Sequence, residues 1–394
     1  MSMRMNEKTL AVALIALAAA CGDDGTTDVP IPPAALTYTT ISAGYFHSCG
    51  LASSGRAYCW GGNAFGTLGD GTRTTRTVPT PVATNRLFTT LDAGAGHNCA
   101  LASDGSAYCW GHNDEGQVGN GTFATRDAPV AVTSGLTFTR ISAGHAHSCA
   151  LTAAGQAWCW GDDTRGQLGN GPPEGATKSA IPVRVQLSVP LTDVFAGYYQ
   201  SCGLAANGDA YCWGANESGQ IGDGTVTDRH EPVRVSGGRV FTAISPGDRF
   251  VCGVSGGGVW CWGANRYGEL GRPVDIGSTV PVQVPGLTNV TAVVASAGTS
   301  TIGSVDAYTC AVRSDGSSVC WGGRVRTLRT RNHLPVELDD RIRLTSITAG
   351  ADHICALSND RRAFCGGGNF EGQLGDGTRT DRAELVAVHG PTGP

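Results

Sequence analysis

The chain has 394 residues, a net charge of −5 and 15% charged residues, with 58 glycines and 15 cysteines. The mild acidity argues against a general nucleic-acid binder, which would carry a basic excess, and the glycine content favours tight turns between short strands over helices. Fifteen cysteines are too many for a reduced cytosolic chain unless they bind metal.

The N-terminus supplies a reason for the cysteines. Arg4 and Lys8 precede an 11-residue apolar run, Leu10 to Ala20. The run is too short to span a bilayer and reads as the core of an export signal over residues 1–20. It ends in Ala18-Ala19-Ala20 before Cys21, which resembles the lipobox of bacterial lipoproteins, where the cysteine is acylated and becomes the mature N-terminus. Ala18 stands where that motif more often has leucine, and ordinary cleavage after Ala20 is the alternative. Gly22, rather than aspartate, after the cysteine implies by the same resemblance the outer membrane or cell surface. Membrane contact is then through the lipid anchor alone. Export puts the other cysteines in an oxidising compartment, where disulfides are the default. Residues 21–35 are polar and proline-rich and read as a flexible tether; the folded body spans 36–394.

From there the chain repeats. Cys49/Cys59, Cys99/Cys109, Cys149/Cys159, Cys202/Cys212, Cys252/Cys261, Cys310/Cys320 and Cys355/Cys365 form seven pairs whose first members lie 50, 50, 53, 50, 58 and 45 residues apart. A period near 50 signals a repeat architecture. Trp-Gly follows each second cysteine except Cys365, where Gly366 replaces the tryptophan.

In the second unit the pattern predicts strands over 90–94, 98–102 and 106–111. Ser103-Asp104-Gly105 then forms a three-residue hairpin loop whose last position needs positive φ, hence glycine. That register sets Cys99 directly opposite Cys109. In the fifth unit the cysteines are one residue closer and the loop shrinks to Gly256-Gly257, which keeps Cys252 opposite Cys261. The seventh puts Arg361 where glycine is wanted and predicts a strained or differently shaped turn. Zinc is the competing reading of paired cysteines, but it favours closer spacing and converging pairs. His97, Cys99 and Leu101 share one sheet face; Tyr108 and Trp110 share the other with Asn98 and Ala100. A sheet apolar on both faces needs cover on both, as radially packed propeller blades provide.

The strings Ile-Ser-Ala-Gly-x-x-His-Ser-Cys, Gly-x-x-Tyr-Cys-Trp-Gly and Gly-Gln-Leu-Gly-Asn/Asp-Gly-Thr resemble the regulator of chromosome condensation repeats from about Leu36 to Val388. The resemblance implies an all-β, seven-bladed β-propeller, here with one intra-blade disulfide per repeat. Pro-x-x-Val segments such as Pro182–Val185 and Pro232–Val235 precede most units, and Glu384–Val388 is left over after the seventh. The expectation is that this C-terminal strand pairs into the blade of Thr40 and Cys49 to close the ring, with Pro30–Pro33 as the competing segment.

No catalytic, cofactor or metal constellation stands out. His47, His97, His147 and His353 form a column that also admits Gln200, Phe250 and Tyr308, which fits packing and hydrogen bonding within each blade better than a metal ring. The turns at Asp70, Asn120, Asp223 and Asp376 offer one side-chain ligand each, far short of a calcium site. Function is expected where the rhythm breaks: the loop Gly171–Lys178, the insertion Ala295–Ala307, and Arg324, Arg326, Arg329 and Arg331, which form either a partner-binding basic patch or a solvated loop. The leading expectation is a non-enzymatic, monomeric scaffold, lipid-anchored at the bacterial cell envelope and binding another protein. An envelope enzyme acting on polysaccharide or peptidoglycan, and a structural or adhesion surface protein, are the alternatives. The family's nucleotide-exchange activity on a nuclear GTPase does not suit an exported chain, and the residues of its β-lactamase-inhibiting members have no counterpart to transfer.

Overall fold

Seven four-stranded antiparallel sheets follow one another along the chain, each a simple meander of consecutive strands. The computed structural model describes residues 36–172, 177–296, 298, 307–323 and 332–391. The first blade shows the plan: an inner strand Tyr38–Ala43, then His47–Ala52, Ala57–Gly61 and an outer strand Arg76–Pro81. The same four strands recur in every blade, so the fold is an all-β seven-bladed propeller.

The cysteine register is as the turns predict. Cys49 faces Cys59 and Cys99 faces Cys109 across their hairpins, and seven disulfides join Cys49–Cys59, Cys99–Cys109, Cys149–Cys159, Cys202–Cys212, Cys252–Cys261, Cys310–Cys320 and Cys355–Cys365. Gly55 and Gly105 hold positive φ (82° and 79°) at the end of the three-residue loops. In the fifth blade Gly256 and Gly257 are both positive, at 59° and 74°, as a two-residue type I′ turn requires. Arg361 adopts φ 62° and closes the same turn as its glycine counterparts, with its N–H on Ser358 O at 2.9 Å. The seventh turn is therefore of ordinary shape but puts a branched backbone in the left-handed region.

Blades pack face to face as the two-sided pattern demands. One core contains Cys49, Leu51, Cys59 and Leu68 of the first blade with Phe88, Leu91, Ala100 and Trp110 of the second. The cysteine face of each blade thus meets the tryptophan face of the next. The six Trp-Gly tryptophans are buried completely or nearly so. Each indole N–H also donates to a backbone carbonyl in the Gly-x-x-Gly turn of the preceding blade: Trp110 to Thr67 (3.0 Å), Trp160 to Gln117, Trp213 to Gln167, Trp262 to Gln220 and Trp321 to Glu269 (2.9 Å each). The turn's second glycine permits the approach; a Cβ on Gly375 would lie 2.6 Å from Nε1 of Trp60. Two irregularities of the sequence thereby become one: Gly366 replaces the tryptophan in the blade that follows the one lacking Gly-Gln-Leu-Gly.

Ring closure differs from the expectation. The C-terminal strand Arg382–Ala387 pairs with Ala363–Gly367 of its own seventh blade, and the Pro-x-x-Val segments are outer strands of the preceding blade. Among the described residues no strand is exchanged. Closure comes from the core in which Tyr38, Ile41 and Trp60 meet Cys355, Leu357, Cys365 and Leu374, the tryptophan-against-cysteine interface that the other blade pairs make except the sixth and seventh.

Candidate functional site

The histidine column turns out to be an inter-blade joint. Nε2 of His47 lies 2.9 Å from Asn98 Oδ1 in the next blade; His97, His147 and His353 reach Ser148, Ser201 and Ser48 at 2.8 Å. Ser48, Ser148 and Ser201 donate in turn to backbone carbonyls of Gln373, Gln117 and Gln167, so the hydroxyl accepts and the imidazole donates from Nε2. The histidines therefore bond between blades rather than within one, a correction to the sequence reading. Gln200 substitutes by donating to Gly247 O at 3.0 Å, and Tyr308 by donating to His353 O at 2.8 Å. Burial pushes the pKa of His47 down to about 4 and those of His147 and His353 to about 3.

The Gly-Asp-Gly-Thr turns are closed locally. Asp70 accepts from Thr72 N (3.0 Å), Thr72 Oγ1 (2.7 Å) and Arg76 Nε (2.9 Å), and Asp223 and Asp376 repeat the set. Despite partial burial, these bonds hold all three carboxyls below the usual range. In the axial channel Asp92 bridges three blades. It accepts from Ser42 Oγ (2.9 Å), Ser142 Oγ (3.0 Å), Ala143 N (2.9 Å) and Ala93 N (3.1 Å). Four donors on one carboxylate make it a joint between inner strands.

Other predicted sites lie outside the described residues. These are Cys21 with the export signal and tether, the arginines 324, 326, 329 and 331, and most of the insertion between Ala295 and Ala307. Of the Gly171–Lys178 loop, Lys178 is described: its Nζ is 3.3 Å from Glu115 and 3.1 Å from Asp114 O, and it lies over the ring of Phe123.

The feature that sequence reasoning missed sits in the two residues between Ala-Gly and the histidine column. They are Tyr45-Phe46, Ala95-Gly96, His145-Ala146, Tyr198-Tyr199 and Asp248-Arg249 in the first five blades. These short loops join inner strands to their neighbours on one face of the propeller, and with the longer loops after each Trp-Gly they surround a depression of about 1030 Å³. His145 and Tyr198 stack at 3.9 Å with a 13° interplanar angle. Tyr199 meets Tyr198 edge-on at 4.5 Å, and Tyr45 lies 5.7 Å from His145 and 6.3 Å from Tyr198. Burial pushes Tyr198 up to about 12 and His145 down to about 4, so the floor is a neutral aromatic cluster at pH 7. Around it, Phe370 packs on Phe46 at 5.1 Å and Phe65 on His112 at 4.5 Å, yet both phenylalanines remain 47% exposed. Charged groups complete the crown: Glu217 accepts from Arg165 and from Arg249, each at 2.7 Å. Exposed aromatics rimmed by charge mark an interaction surface. The signal was present in the sequence as variable aromatic pairs inside an otherwise constant Ala-Gly-x-x-His frame.

Comparison with known proteins agrees with this architecture. A model described as the RCC1-like domain matches residues 18–326, and the regulator of chromosome condensation (RCC1) repeat matches 344–373. The ultraviolet-B receptor UVR8 of Arabidopsis thaliana is 29% identical over 231 residues, which cover 55% of this chain and about half (51%) of that protein. Human WBSCR16 superposes with a TM-score of 0.74 at 21% identity, over 84% of this chain and 93% of its own. Yeast RCC1 (Prp20), in its structure bound to Kap60, gives 0.68 at 18% identity, over 82% and 81%. The chain belongs to the RCC1-like domain family and builds it as a seven-bladed propeller with a disulfide in every blade.

Proposed function

We propose that the protein is an exported, lipid-anchored scaffold whose crown of inter-strand loops binds another protein at the cell envelope. The apolar run before Cys21 supports export and acylation, and seven disulfides suit an oxidising compartment. The observation that carries the binding role is the aromatic crown: Phe65 and Phe370 exposed around a depression floored by Tyr45, His145, Tyr198 and Tyr199. Aromatic anchors surrounded by paired charges are what protein interfaces use. Yeast Prp20 offers a fold-level parallel, since its structures are described with Kap60 and with binding to Gsp1p and histones; those partners belong to that protein. An envelope enzyme is disfavoured by the engagement of Asp92 in four structural hydrogen bonds.

Two measurements test this reading. Membrane fractionation should find the wild-type protein in the envelope and Cys21→Ala released from it. Capture from the same envelope should recover a partner with wild type and with the opposite-face variant Asp104→Ala, and lose it with Phe65→Ala/Phe370→Ala. Equal recovery by all three variants, or a Cys21→Ala protein that stays membrane-bound, would overturn it.

A further inference from the structure

The mouth of the depression carries an asymmetry of charge that the crown's shape alone does not explain. Five carboxylates (Glu115, Asp162, Glu217, Asp248, Glu371) line it against three arginines (Arg73, Arg165, Arg249). Nearly all of them are engaged. Arg73 pairs with Asp127, Arg165 with Glu217 and Asp228, and Arg249 with Glu217. Glu115 pairs with Lys178, Asp162 accepts from Thr164 and Gln167, and Glu371 accepts from Thr75. Asp248 is the exception: among the described residues its carboxylate accepts no hydrogen bond and makes no ion pair, although it is half-buried. It shares the depression with Tyr45, His145, Tyr198 and Tyr199, and its charge adds to burial in raising both Tyr45 and Tyr198.

An unpaired carboxylate in a partly desolvated aromatic bowl is costly unless something cationic joins it. Ring faces attract an ammonium or guanidinium placed within about 6 Å, and guanidinium also stacks on aromatic planes. A small anion would meet net negative charge there, and a neutral apolar group would leave Asp248 with only the longer-range charge of Arg249, itself paired with Glu217. Resting on the docking role proposed above, we propose that the mouth receives a lysine or arginine side chain of the partner, its cationic head lying between Asp248 and the faces of Tyr198 and Tyr199. Phe65 and Phe370, farther out, then contact the partner's surface around that anchor.

N-acetyl-arginine methylamide and N-acetyl-lysine methylamide, with neutral N-acetyl-norleucine methylamide and choline as comparisons, can be titrated into the full chain by NMR. The arginine or lysine probe should bind saturably and norleucine should not. Asp248→Asn should weaken binding roughly tenfold or more, and Tyr198→Leu similarly, while the opposite-face variant Asp104→Ala leaves it unchanged. Lowering the pH through about 6, where burial has pushed the Asp248 carboxyl, should weaken binding in parallel; Arg249, Glu217, Glu269, Tyr45 and Tyr198 are the titratable groups acting on it or it on them. Absence of saturation by either cationic probe at millimolar concentration, or equal binding by Asp248→Asn, would overturn the proposal. Choline binding more tightly than both would overturn the side-chain source. Probe binding together with failure of crown-dependent capture would instead sink the docking role and leave the cation site standing.

Discussion

The indole Nε1 of Trp60 donates a 2.9 Å hydrogen bond to the carbonyl of Gln373, 313 residues away in the chain, and Ser48 Oγ donates to the same oxygen at 2.9 Å. One carbonyl of the seventh blade thus holds two side chains of the first. The ring is closed by the same joint that spaces its other blades, with no exchanged strand to reinforce it.

Trp60 should therefore be more sensitive than a buried side chain at an interface with covalent or strand continuity. Trp60→Phe keeps most of the packing and loses the hydrogen bond, at about 1 kcal/mol. Trp60→Ala opens a cavity and should cost roughly 3–5 kcal/mol in denaturant unfolding. Limited proteolysis should then cut first near the first and seventh blades; a cleavage pattern unchanged from wild type would contradict this closure.

Each disulfide closes a small loop and should contribute about 3 kcal/mol or less. Cys99→Ala/Cys109→Ala is expected to lower the unfolding free energy by that amount, with a matching fall in the denaturant midpoint, without disturbing the other blades. Reduction of all seven should broaden the transition, because each hairpin's register then rests on its turn alone. An oxidised and a reduced protein with superimposable unfolding curves would refute this role.

Arg361 offers a gain. Its φ of 62° costs an L-residue on the order of 1 kcal/mol. Arg361→Gly should raise stability by about that much, and Gly316→Arg, at φ 80° in the sixth blade, should lower it at least equally. Thermal or denaturant unfolding of the two variants decides the point.

Acid should weaken the ring. The buried histidines hold folded pKa values below the unfolded 6.5, about 4 for His47 and about 3 for His147 and His353, with burial the main cause. The unfolded chain takes up protons that the folded one refuses, so their stabilisation is intact above pH 6.5 and is lost as pH falls toward 4. Asp248 and Asp163, raised by burial to about 6, and Glu269, raised to about 7, act in the opposite sense over that window. Burial also raises Asp92, Asp162 and Asp193, which act with these three carboxyls; against them stand five imidazoles, His145 and His97 included, and the lowered carboxyls Asp70, Asp223 and Asp376. At pH 4 His147 alone costs on the order of 3 kcal/mol. His147→Gln, imitating Gln200, should flatten the decline in melting temperature between pH 6.5 and 4; an equally steep decline would show that the column does not govern it.

Blade number, hairpin register and the two buried faces were all legible in the sequence because each follows from a local rule. Turn length against cysteine spacing gives the register, and strand alternation gives the faces. The blade boundary was not. In a cyclic array of four-strand units, periodicity is unchanged wherever the unit is cut, and the outer strand lies closer in sequence to the next blade's inner strand than to its own ladder partner. Pro182–Val185 thus reads as belonging to the next unit although its strand pairs with Ala157–Asp162 behind it. The crown was overlooked because its residues lie inside the regular frame, and only the packing of several blades brings Tyr45, His145 and Tyr198 together. Asp248 gains its meaning only there, where the described neighbours leave its carboxylate without a hydrogen bond or ion pair.

Site-specific photo-crosslinking in the intact envelope tests the binding role most directly. A photoreactive residue at Phe370, on the crown, should yield a discrete crosslinked species, and one at Ser54, in a hairpin turn outside the crown, should yield none. Crosslinking at Ser54 with nothing at Phe370 would contradict the assignment of the crown as the binding face.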